Sequence, residues 1–227
     1  MSHSILSLNR HVTTWNKKAR YDYSLIESAA LQIGDSDVLE VASWGEFWLN
    51  GVQSAELPGL LAGKYEVHHW QISDKEHRFT VLLQENSYGD GEQVVFNVFK
   101  DTVTVKLENP TTESLGTSQG MSGSFPQGIP VSRNGTILSF QDPMTFAEEW
   151  QVLPEEPKLF QDSDRIPQAP AKCIRPDPAT TASRRRLGAT VAKEAAMAAC
   201  AHWEHQDACV YDVMATGDLE LAQGTPY

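Results

Sequence analysis

The stretch Val94-Val95-Phe96-Asn97-Val98-Phe99 limits this chain more than any other, because only Asn97 in it is polar. Side chains alternate between the two faces of a strand, so a strand apolar on both faces needs cover on both sides. Val95, Phe96, Val98 and Phe99 are therefore expected in a core. The flanks suit a strand as well: Tyr88-Gly89-Asp90-Gly91 precedes it, and Lys100-Asp101 parts it from a second run, Val103–Leu107. Upstream lie Ser24–Ile33, Val38–Val41, Phe47–Leu49, Tyr65–Ile72 and Arg78–Leu83, rich in Val, Phe, Thr and Tyr. Phe47–Leu49 ends at Asn50-Gly51, a dipeptide that tolerates positive φ in a tight hairpin. Short strands with Gly, Asn and Asp between them predict a mainly β fold, an antiparallel β-sandwich.

The pattern is different at the two ends. Residues 1–20 are polar and weakly patterned, and are read as an N-terminal arm ahead of a β domain over residues 21–153. Six of the twelve prolines fall between Pro154 and Pro178, which excludes a regular helix or a central strand there. Residues 154–183 are accordingly expected to form an extended strap over the β domain. Residues 184–227 turn helical, and Leu187, Val191, Ala195, Ala198 and His202 fall on one helical face. Gly217 interrupts a second short apolar segment that ends near Ala222.

Charge narrows the range of partners. The chain of 227 residues has 18 Lys and Arg against 30 Asp and Glu, a net −12. The halves on either side of residue 110 each carry nine basic and fifteen acidic residues, so neither is basic. The attraction that drives binding to nucleic acid or anionic membranes is therefore not expected. No apolar run approaches the ~18 residues that span a bilayer. Met1–Asn9 has only a short semi-apolar stretch and no basic lead, so a signal peptide is not read there.

Three groups of residues, in order, carry a family resemblance. The first is Ile33-Gly34 with Val38–Val41 and Trp48-Leu49-Asn50-Gly51-Val52. The second is Gly120-Met121-Ser122-Gly123-Ser124-Phe125, then Val131–Thr136, then Phe146 through Trp150 to Val152. The third is Ala198–Cys200, Cys209–Val213 and Thr216-Gly217-Asp218. Together they resemble the von Willebrand factor type D domain, in a divergent form of secreted or surface proteins that lacks the usual first strands. The resemblance implies a non-enzymatic interaction or structural module of an extracellular or surface assembly, with other proteins as partners. In calcium-binding relatives the glycine turn continues with Asn and Asp. Here Ser124 and Pro126 stand in those places and cannot supply the oxygens calcium needs. Ser122 takes the position of the family's cysteine.

Several residues could carry chemistry, and each is weighed against a plainer role. Gly120–Ser124 nearly matches a nucleophile elbow with Ser122 as nucleophile, but its fifth residue is Ser and Pro126 follows. Cys200, His202, His205 and Cys209 are residue types that hold zinc, yet Cys200 and His202 lie about 200° apart on a helix. A short Cys200–Cys209 disulfide at the helix end is the favoured alternative, with reduced thiols a third possibility. Cys173 is left over in the strap. His68 and His69 point to opposite faces of a strand and are not a ligand pair. Asp35-Ser36-Asp37 lacks the Gly and Glu of a calcium loop. Glu148-Glu149 and Glu155-Glu156 read as solvated faces, and Arg184–Arg186 as a partner for the acidic body. Asn134-Gly135-Thr136 is both a hairpin turn and a glycosylation acceptor if the chain is exported.

No constellation points to catalysis and no cofactor is expected. The rival functions are an accessory scaffold subunit of a larger complex and a hydrolase or zinc protein. The first would use a degenerate domain as scaffold, the second Ser122 or the Cys200/His202/His205/Cys209 cluster. No partner nucleic acid and no membrane insertion are expected in any of them.

Overall fold

A computed structural model describes residues 2–7, 10–18, 24–84, 91–115, 118–120, 123–139, 141, 143–152, 156, 159–160 and 191–224. Twelve strands follow in chain order: β1 Ser2–Ser7, β2 Arg10–Lys18, β3 Ser24–Ile33, β4 Leu39–Ala42, β5 Phe47–Leu49 and β6 Val52–Gln53. Then come β7 Leu60–Leu61, β8 Tyr65–Gln71, β9 Glu76–Gln84, β10 Glu92–Phe99, β11 Thr102–Glu108 and β12 Gln119–Gly120. They make two antiparallel sheets, one ordered β12-β1-β2-β3-β4-β5-β6 and the other β11-β10-β9-β8-β7. The fold is the mainly β, sandwich-like architecture expected, with helices near the C-terminus.

The alternation of β3, β4 and β9 to β11 explains the packing. Ala29, Leu31, Ile33, Leu39, Val41 and Phe47 of the first sheet share one buried cluster with Val67, Phe79, Val81, Leu83, Val94, Phe96, Val98 and Val103 of the second. Each Val, Leu, Ile or Phe side chain among them, fully buried, contributes roughly 1.5–3 kcal/mol. Phe47 and Phe79 meet edge to face across the layer, with ring centres 5.9 Å apart. In β10, Val95, Phe96 and Val98 are buried as expected, whereas Phe99 at the strand end is half-buried. Turn chemistry fixes the register. Asn50 and Gly51 both take positive φ, and Asn50 clamps Val38 by donating its N–H to the Val38 carbonyl and accepting the Val38 N–H on Oδ1.

Two expectations need correction. The polar residues 1–20 are not a free arm: β1 and β2 pair with each other, and they lie between β12 and β3. The β domain does not end at residue 153 either. The chain divides into two compact units, residues 1–16 with 26–169, and residues 17–25 with 170–227. Leu159 and Phe160, at the start of the expected strap, are buried against Ala30 and Val38 on the second face of the larger sheet. Residues 161–190, with Cys173 and Arg184–Arg186, lie outside the described residues, as does the Tyr88–Asp90 turn.

The second unit holds helices Lys193–Ala199 and Gln206–Thr216 and the 3-10 turn Leu219–Gln223. Its core is Val191, Ala196, Cys200, Trp203, Cys209, Val210, Val213 and Ala222. The expected face was out of phase, since Ala195, Ala198 and His202 are exposed while Ala196 is buried. Gly217 ends the second helix in the left-handed region, donating its N–H to Val213.

Candidate functional site

Cys200 and Cys209 are the expected site residues that the structure brings together. Cys200 caps the first helix and Cys209 lies in the first turns of the second. Their Cα atoms are 5.9 Å apart and the disulfide is closed, with S–S 2.02 Å. The chain turns back between them because the first helix stops at Ala199 and the Trp203 N–H bonds the Cys200 carbonyl. The Trp203 indole N–H then reaches the Ala222 carbonyl at 3.0 Å, tying the tail to the same core. His202 and His205 point to solvent, and no group of three or more His, Cys, Asp or Glu converges among the described residues. Ser122 lies outside them, so the nucleophile-elbow reading has no geometry behind it.

Asn134 stands exposed on a turn whose next residue, Gly135, has φ of +83°. Its side-chain oxygen accepts from the Ser132 hydroxyl, from the Thr136 N–H at 3.0 Å and from the Thr136 hydroxyl at 2.8 Å. That leaves its amide nitrogen, the atom that would carry a glycan, without a hydrogen bond among the described residues.

Beside this turn, Arg133 corrects the solvated reading for Glu149 and Glu156; Glu148 is exposed as expected, and Glu155 lies outside the described residues. Its backbone N–H donates to Glu149 Oε1 at 2.8 Å. Its guanidinium donates to the Glu149 and Gln151 carbonyls and to Glu156, and lies over the ring of the fully buried Trp150. Glu149 and Glu156 are thus half-buried partners of one arginine. The glycine turn is equally tight: Gly123 has φ of +81°, and a Cβ there would fall 2.5 Å from the Gly128 backbone.

One constellation escaped the sequence reading altogether. The short turn after Gln71 sets β8 against β9 so that His69 faces Phe79 and Gln71 faces His77. His69 and His77 are therefore diagonal neighbours on the core-facing side of the sheet. His69 Nε2 and His77 Nδ1 are 3.0 Å apart, and the two rings are tilted by only 15° with centres 5.3 Å apart. The His69 ring also lies flat on Phe79 at 4.2 Å. His77 is buried, while His69 is exposed. Loss of water from the ring surfaces packed together here, nearly complete for His77 and partial for His69, holds both imidazoles below the ordinary histidine value of 6.5, and for His69 the charge on His77 is a second cause.

Above His77 sits the 3-10 turn Ser43–Gly45, so close that a Cβ on Gly45 would be 2.5 Å from His77 Nδ1. Trp44 in this turn takes φ of +61°, a conformation that costs a non-glycine residue of order 1–3 kcal/mol unless its surroundings hold it. They do so here. The Trp44 N–H donates to the Lys100 carbonyl and its indole N–H to Asp101, each at 2.8 Å. The indole is nonetheless about half exposed, at 49%. A hairpin reading of Tyr65–Ile72 with Arg78–Leu83, carried to its register, is the signal that could have found the pair.

Comparison of the chain with protein-family models, with curated proteins and with solved structures returns no match.

Proposed function

We propose that this chain is a non-enzymatic interaction or structural module of an extracellular or surface assembly, as the type D resemblance implies. The observation that carries the reading is the Cys200–Cys209 bond, buried in the core of the smaller unit. A bond of this kind persists in oxidising compartments and is rare where thiols are kept reduced. The absence of any helix long and apolar enough to cross a membrane, among the described residues, is compatible with it. So is the exposed aromatic strip on the outer side of β8, where His68 and Trp70 lie side by side with ring centres 5.5 Å apart. Tryptophan is among the residues enriched at the energetic centres of protein–protein contacts.

The test is gel filtration of extracts from the native source, followed by alkylation without reductant and mass analysis. The chain is expected in a species well above the mass that its own polypeptide shows under denaturing conditions, with positions 200 and 209 unlabelled. A monomer labelled at both cysteines would refute the proposal.

A further inference from the structure

The His69–His77 contact can be read in two ways, as half of a metal site or as a hydrogen bond, and its geometry separates them. A ring nitrogen lies about 1.15 Å from the centre of a five-membered ring whose bonds are about 1.35 Å. Two such radii and the 3.0 Å gap span about 5.3 Å, the observed distance between ring centres, so both nitrogens and both centres are nearly collinear. Two imidazoles on one tetrahedral zinc would instead hold their nitrogens about 3.3 Å apart, each ring turned about 35° from that line. The lone pairs point at each other rather than at a shared third point. This is a head-on N–H···N hydrogen bond, and it needs one proton between the rings.

That requirement sets a limit on charge. With both rings neutral, one facing nitrogen donates and the other accepts. One added proton settles on an outer nitrogen, and the bond survives as a cationic pair. A second makes both facing nitrogens N–H donors, so the bond is lost and two like charges sit side by side. His69 can turn out to water. His77 is under Gly45, and once charged it needs water beneath the turn.

We propose that the His69–His77 pair is a proton-operated latch under the Ser43–Gly45 turn, closed while the rings share one proton and released when both become cationic. Release frees Trp44 from Lys100 and Asp101 and presents its indole, which gives an interaction module an acid-gated contact. Among the described residues, the charged groups around the pair are directed to other partners or to the other face of the sheet. Glu46 accepts from Gln53, Asp101 from the Trp44 indole, and the Lys100 ammonium lies over Phe99. Alternation puts Glu76 and Arg78 on the opposite face of β9, where Arg78 binds Glu108, while Lys75 is in the hairpin turn with its carbonyl on the Lys100 N–H. On β8, Glu66 and His68 pair with each other on that same outer face. Across β10 the facing residue is Val98.

The experiment is a pH titration of nitrogen-labelled full-length chain by NMR, following the imidazole nitrogens, the Trp44 indole signal and exchange of the Trp44 amide. The expected result is that both histidines titrate below the ordinary range. As they do so, the Trp44 amide should lose protection by at least about tenfold per pH unit, one proton taken up per opening. His69→Gln, which keeps a donor toward His77 but removes the second charge, should flatten that slope, while His68→Gln should leave it unchanged. Independent titration at ordinary values with a fixed Trp44 signal would overturn the latch. So would a zinc-induced shift of both imidazoles that a chelator reverses while Trp44 stays indifferent to pH.

Discussion

Replacing Cys200 and Cys209 together by Ala tests whether the disulfide stabilises the smaller unit or merely decorates it. The two cysteines are nine positions apart, so the bond closes a short loop. With about ten residues in the ring, the chain-entropy relation gives about 2.7 kcal/mol of stabilisation through the unfolded state. Alanine suits the test because both sulfurs are buried, and serine would add a buried hydroxyl with no assured partner. At 1.36 kcal/mol per tenfold, the loss corresponds to an opening constant raised by about a hundredfold. The readout is hydrogen exchange at the Gly217 and Cys209 amides, which bond Val213 and His205, with amides of β10 as the reference. Reduction of the wild-type chain should give the same change. An acceleration of less than about threefold in both forms would show that helix packing alone holds the unit, and the loop argument would be wrong.

Three further outcomes follow from the structure. Phe96→Ala empties a fully buried site beside Phe79 and should lower stability by about 3–5 kcal/mol in urea unfolding; a loss below about 1 kcal/mol would contradict the shared core. Because His69 and His77 lie below 6.5 when folded, the unfolded chain takes up more protons just under that pH. Stability should therefore be complete above it, fall as pH drops toward the folded values and level off below them, as urea midpoints between about pH 7.5 and about pH 5 would record. Thermal melts with chelator and with millimolar calcium should superimpose, since Ser124 and Pro126 occupy the liganding places of the glycine turn; a drop of several degrees under chelator would refute that reading.

The strands were legible where alternation and turn residues agreed, as from Phe47 through Asn50-Gly51 and along β8 to β11. They were illegible in residues 1–20, because Ser2–Ser7 and Arg10–Lys18 show no clean alternation and are strands by virtue of their neighbours. The first C-terminal helix was found but misphased, for a simple reason. Lys193–Ala199 is mostly alanine, so each face is equally apolar, and the phase is set by Val191, Cys200 and Trp203. The histidine pair was lost for another reason: a single strand says only that His68 and His69 diverge. Which of them meets His77 depends on the register of the next strand. Arg133 shows the same limit, since three of its acceptors are backbone carbonyls or side chains sixteen or more residues away.

The place of β1 and β2 within the larger sheet has a kinetic consequence. Ile5 pairs with Gly120, across a separation of more than a hundred residues. Non-local pairings must offset the entropy of closing long loops before they gain any contact energy, and they slow folding accordingly. During synthesis the first two strands can pair with each other and with β3, but the outer edge of β1 must wait until residue 120 has emerged. The larger sheet therefore completes at its beginning and not at its end, and the interval leaves β1 open to strands of other chains.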